Sequence, residues 1–156
     1  MIKKIKINYF TIPLITFGVA FLGSSFTNIG MPWYRAIAVP DFTPPGGVIG
    51  AVWTVLFFLA AISAILFWNA QRTKIFPLVI SVFLLNGVLN AGWSYLFFVK
   101  HQIYFAVWES GALAISVLAL IIMIWSIKKS AAALLIPYFL WVCFATYLTY
   151  QVYLLQ

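Results

Sequence analysis

Residues 47–69 read GVIGAVWTVLFFLAAISAILFWN, an uninterrupted run without Asp, Glu, Lys or Arg. A helix needs about 20 apolar residues to cross the hydrocarbon core of a bilayer. A barrel strand needs only about 10, in strict alternation, and this run does not alternate. The segment reads as a membrane-spanning helix. Pro44-Pro45 stand at its entrance, where the missing N–H of proline does no harm.

Working outward, the rest of the chain repeats the pattern. Residues 7–34, 75–99 and 130–156 carry no charged side chain, and 101–127 carry only Glu109. Five spans are expected, at about 8–26, 47–69, 77–99, 104–127 and 131–155. The fold class is an all-α integral membrane protein, a bundle of five transmembrane helices. At about 30 residues per span with its connector, five spans use all of 1–156, a single membrane domain. No room is left for a soluble kinase, nucleotide cassette or binding domain. Composition agrees: 65% of residues are hydrophobic and 7% charged, against about 25% charged in soluble domains.

The net charge of +7 comes from basic residues in short connectors, which reads as membrane topology and not as nucleic-acid binding. Lys3, Lys4, Lys6, Arg72, Lys74, Lys128 and Lys129 fall on one side, Arg35 and Lys100 on the other. The positive-inside rule puts the N-terminus in the cytoplasm and the C-terminus outside, for a bacterial plasma membrane. Cys143 is the only cysteine and His101 the only histidine. An internal disulfide, a cysteine metal cluster and a bis-histidine haem therefore lack their ligands.

The one long connector, 28–47, lies on the non-cytoplasmic side. It holds four of the seven prolines, too much Pro and Gly for one long helix. It is also apolar, with Trp33, Tyr34, Ile37, Val39 and Phe42. Long connectors in compact folds often serve as lids, and this one reads as a lid-like loop between helices 1 and 2.

Helical rise, about 1.5 Å per residue, converts position into depth. Trp53, Asn90, Trp93, Trp108 and Glu109 fall at similar depth in the non-cytoplasmic half, beneath that loop, with Trp141 near the middle of span five. Trp68 and Trp125 fit an interfacial belt, whereas Trp53, Trp93 and Trp141 sit too deep for one. Two readings stand for these three: core packing with the indole N–H on a carbonyl, or the wall of a pocket. Glu109 is the only acid inside a span. A charge there costs about 3 kcal/mol or more unless shielded, so it should face the bundle interior. It binds a ligand or carries a proton, or it fixes helix packing. Asn86 and Asn90, at i and i+4, suit interhelical hydrogen bonds. Gly87 and Ala91 form a small-xxx-small pair, read as intrachain packing. Arg35, Lys100 and His101 rim the outer face, where they would snorkel or attract carboxylates of an amphiphile. No catalytic triad, phosphate loop or metal motif is present.

Certain motifs carry a resemblance. Trp33-Tyr34, Pro40-x-x-x-Pro44-Pro45 and Val52-Trp53-Thr54-x-Leu56-Phe57 resemble the first loop and second helix of the TspO/MBR family, the tryptophan-rich sensory proteins or translocator proteins. So do Leu89-Asn90-x-x-Trp93-Ser94-x-x-Phe97-Phe98, Leu135-x-Pro137-Tyr138-x-x-Trp141-x-x-Phe144-Ala145-Thr146 and Gly18-x-x-Phe21-Leu22-Gly23-Ser24. The resemblance implies a receptor for porphyrins and for drug-like isoquinoline-carboxamide or benzodiazepine ligands, in a pocket under the first loop. Tyr34, Pro44, Trp53, Phe57, Asn90, Trp93, Ser94, Glu109, Trp141 and Ala145 match its ligand-binding positions. It further implies light-dependent porphyrin degradation, with Trp53 and Trp141 as participants, and a homodimer through helix 3. Thr149 stands where many members carry Asn, and no Lys or Arg follows Tyr150 or Tyr153. The sterol-recognition pattern is thus incomplete, and a sterol fits less well.

The expected ligand is a tetrapyrrole, protoporphyrin or haem, with no cofactor permanently bound and no metal site. A flat apolar macrocycle suits stacking on indole and phenyl faces. The alternative is a small transporter of porphyrin or another amphiphile, but the chain shows no internal repeat of the kind many transporters carry. An enzyme and a purely structural membrane protein are the remaining classes.

Overall fold

The computed structural model describes residues 6–156. They form α1 (Asn8–Tyr34), α2 (Gly46–Trp68), α3 (Phe76–Ser94) with a π-helical turn at Tyr95–Val99, α4 (Ile103–Trp125), α5 (Lys129–Ala133) and α6 (Ile136–Leu154). Helices α5 and α6 together make the fifth span, so the described chain has five helical segments long and apolar enough to cross a membrane. Each segment is apolar nearly all round, as lipid-embedded helices are. With hydrocarbon as solvent, every backbone polar group must be satisfied within the helix.

The helices close a ring. α1 packs on α2 and α3, α2 on α5 and slightly on α6, α6 on α4, and α4 on α3. The tight side is α3–α4–α6, where Val79, Val117, Leu120, Ile124, Leu135 and Val142 are buried. Ser63 ties α2 to α5 by donating to the Ala131 carbonyl at 2.7 Å. Because α5 breaks before α6, α2 holds the fifth span at α5 and leaves α6 freer.

The first connector differs from expectation. α1 does not end near 26 but runs through Pro32 to Tyr34, leaving residues 35–45 as the loop. Gly30 explains it: a Cβ there would overlap the backbone carbonyl of Phe98. Helix and π turn thus meet backbone to backbone, and Trp33 and Tyr34 lie on Phe97 and Phe98. Tertiary packing overrides the local Pro/Gly signal. Gly87 faces Val19 of α1, with its Cβ direction 3.1 Å from that side chain. The small-xxx-small pair therefore serves an intrachain contact on this side. Lys3 and Lys4, part of the charge argument, lie outside the described residues.

Candidate ligand cavity

A cavity of about 950 Å³ lies between α1, α2, the C-terminal end of α3 with its π turn, and α6. Small-molecule sites run from about 300 to 1,000 Å³, so this one accepts a large ligand. Its wall is aromatic on three sides: Trp53 and Phe57 from α2, Trp93, Phe97 and Phe98 from α3 and the π turn, Trp141 and Phe144 from α6. Trp93 stacks on Phe97 at 5.2 Å and Trp53 tilts against Phe57 at 5.7 Å. The π turn inserts an extra residue, which brings Phe97 and Phe98 together onto the wall; such bulges are common at functional sites.

Polar groups on the wall are few. The indole N–H groups of Trp93 and Trp141 are buried with no hydrogen-bond partner. An unmet buried donor costs about 1–3 kcal/mol, and neither nitrogen presents accessible surface to the cavity. Asn90 is fixed by a chain running away from the cavity. Its Nδ2 donates to Tyr138 Oη at 3.1 Å, Tyr138 donates to Asn86 Oδ1 at 3.0 Å, and Asn86 Nδ2 donates to Ser116 Oγ at 2.8 Å. Ser116 donates to the Leu113 carbonyl at 2.7 Å, which can only accept. That terminal acceptor sets the direction of every link. The wall therefore offers aromatic faces and one amide at a set orientation.

The sequence profile of the TspO/MBR family matches residues 11–155. The chain belongs to the TspO/MBR family. It is 38% identical over 141 residues to the tryptophan-rich protein TspO of Bacillus cereus, covering 89% of this chain and 90% of that one. It is 35% identical over 149 residues to the tryptophan-rich protein TspO of Archaeoglobus fulgidus, covering 92% and 93%. The human translocator protein is 31% identical over 140 residues, covering 85% and 80%. Family and fold together make this an integral membrane protein with a binding or transport role.

Of the positions that the TspO/MBR motifs single out, Tyr34, Trp53, Phe57, Asn90, Trp93, Ser94, Trp141 and Ala145 line the cavity, as does Thr149. Pro44 and Glu109 do not. Pro44 precedes the first turn of α2, in the loop, and the α2 wall begins at Gly46. Glu109 belongs to α4, the one span that contributes nothing to the wall. Its carboxylate oxygens are buried without a partner, and Oε1 lies 3.6 Å from where a Cβ on Gly92 would be. It faces inward, as its cost in lipid demands, but against the back of α3 and away from the cavity. Trp108 points outward, 66% exposed. His101, with φ of 56°, stacks on Trp33 at 4.1 Å, while Lys100 lies over Tyr95; neither lines the cavity.

Apart from Tyr34, the reading from sequence missed the α1 wall, including Thr16, Phe17, Ala20, Thr27 and Met31. These are ordinary lipid-span residues, and no local signal marks the face that turns inward. It also missed Tyr138 as the junction of the polar chain.

Proposed function

We propose that this member of the TspO/MBR family is a membrane receptor for porphyrins, protoporphyrin-type tetrapyrroles above all, held in the cavity beneath the first loop. The observation that carries this reading is the grouping of three tryptophans, Trp53, Trp93 and Trp141, around a space of about 950 Å³. Flat apolar rings gain by stacking on such faces. Isoquinoline-carboxamide ligands fit the same description through their aromatic body. Trp53 and Trp141 are the side chains through which illuminated porphyrin would be degraded. Glu109 and Pro44 are left out of the site.

The membrane is proposed to be the bacterial plasma membrane, with the N-terminus inside. This is supported by Lys6, which reaches Asn69 at 3.0 Å, and by Arg72, Lys74, Lys128 and Lys129 in the other connectors of that end. A homodimer through α3 is supported by its outward face, where Leu78, Leu85 and Val88 are exposed. Chemical cross-linking in native membranes tests it; a monomer ladder alone overturns it.

The receptor reading is tested by titrating the protein in nanodiscs with protoporphyrin in the dark, following tryptophan quenching, and then illuminating. Saturable binding is expected. Many identical products per protein, lost in Trp53→Phe/Trp141→Phe, would add turnover to binding. About one event per protein would leave a receptor. Absence of saturable binding would refute the reading and favour transport of another amphiphile.

A further inference from the structure

We infer that the cavity opens sideways into the bilayer between α1 and α2, and that its ligand enters from the hydrocarbon and not past the loop. The inference rests on the cavity being the ligand site, as proposed above.

The first observation is that part of the cavity wall is also outer surface. Phe17 of α1 is 69% exposed and Phe58 of α2 is 68% exposed, yet both line the cavity. A side chain can do both only at a rim. Ser24, Gly50 and Thr54 are likewise exposed lining residues. Helical geometry puts them on facing flanks: Phe17 and Ser24 lie on the flank of α1 away from Val19, Gly23 and Gly30, which touch α3 and its π turn. Gly50, Thr54 and Phe58 lie at i, i+4, i+8 on α2, away from Ser63, which ties α2 to α5.

Depth agrees. Phe17 is about 14 Å along α1 from its inner end, and Phe58 is about 15 Å along α2 from its own inner end, at 1.5 Å per residue. Both stand near the middle of a hydrocarbon core about 30 Å thick. Ser24 and Thr54 lie at about 24 and 21 Å on the same scale. The slot therefore runs from mid-bilayer outward, with phenyl rings at its inner rim and small side chains along its length. A flat apolar molecule could pass edge-on, without meeting a charge.

The second observation is that the loop is fastened. Phe42 stacks on Tyr147 of α6 at 5.8 Å, and Gln156 donates to the Ala38 carbonyl at 3.0 Å. No residue from 36 to 45 lines the cavity. The loop bridges α1 to α2 and is held on the fifth span at two points.

The test uses the protein in nanodiscs with Cys143→Ser, which removes the one native thiol. Phe17→Cys/Phe58→Cys is bridged by a short reducible bifunctional thiol reagent to close the slot. Ala38→Cys/Gln156→Cys is bridged in the same way to lock the loop. Protoporphyrin association and dissociation are followed by stopped-flow tryptophan quenching. The slot bridge is expected to slow both rates together at least ten-fold, with recovery on reduction. A damaged site would slow association and speed dissociation instead. The loop bridge is expected to leave both rates within two-fold. Slowing by the loop bridge, with none by the slot bridge, overturns the inference. Failure of the unbridged protein to bind protoporphyrin would sink the ligand reading alone. The route is then read from Ala145→Cys, inside the cavity, as its rate of alkylation by a bilayer-partitioned maleimide. Protection by the slot bridge supports the lateral route, and protection by the loop bridge alone overturns it.

Discussion

Tyr138→Phe removes one oxygen atom at the junction of the polar chain and leaves the ring. The ring keeps its edge contact with Trp53 at 6.0 Å. Two hydrogen bonds disappear, from Asn90 Nδ2 and to Asn86 Oδ1. Interhelical hydrogen bonds in membranes average about 0.6 kcal/mol each, which sets a floor near 1.2 kcal/mol. Asn86 and Asn90 are both buried, and each unmet polar atom adds to the cost, so the loss should be about 1–3 kcal/mol. Asn90 also loses the partner that sets its orientation, so ligand affinity should fall along with stability. The assay is reversible unfolding in mixed detergent, beside a ligand titration. Asn86→Leu completes a double-mutant cycle, in which a coupling of about 0.6–1.7 kcal/mol is expected. A Tyr138→Phe protein as stable as the parent, or a coupling of zero, would refute the claim that this chain holds α3, α4 and α6 in register.

Three further changes test other parts of the structure. Gly30→Ala should destabilise by about 1–3 kcal/mol through overpacking, because its methyl group meets the Phe98 backbone; a thermal midpoint equal to the parent's would contradict the close approach. Glu109→Gln should leave ligand affinity within two-fold, since α4 stands outside the cavity wall, and a ten-fold weaker titration would return Glu109 to the site. His101→Ala loses the stack on Trp33, worth about 0.5–1.5 kcal/mol. His101→Gly should cost about 1 kcal/mol less than alanine, because only glycine enters the left-handed region freely; the reverse order in unfolding would sink that argument.

The spans were legible because a bilayer imposes length and apolarity, and both are written in the charge-free runs. The grouping of Trp53, Asn90 and Trp93 was legible from helical rise alone, but the same count placed Trp108 with them, and its side chain faces outward. Glu109 shows where such counting stops. Depth places it level with the tryptophans, but only the order of helices around the ring decides that α3 stands between it and the cavity. The end of α1 shows another limit. Gly30, Pro32 and the residues around them read as a loop by composition, yet the helix persists because Gly30 lets α1 settle on the π turn. That turn has no sequence signature of its own. The α1 wall was invisible for the opposite reason: its inward and outward faces are equally apolar.

The central claim, that a porphyrin lies within the bundle among Trp53, Trp93 and Trp141, is tested most directly by comparing tryptophans inside and outside the cavity. Dark protoporphyrin affinity is measured in nanodiscs for single Trp→Phe variants. Trp93→Phe or Trp141→Phe should weaken binding by roughly two- to twelve-fold, equivalent to about 0.5–1.5 kcal/mol for one aromatic stacking contact. Trp53→Phe should also weaken it, through lost stacking area. Trp68→Phe and Trp125→Phe, outside the cavity wall, should leave affinity unchanged. Equal effects from both groups, or none from the cavity group, would contradict the account.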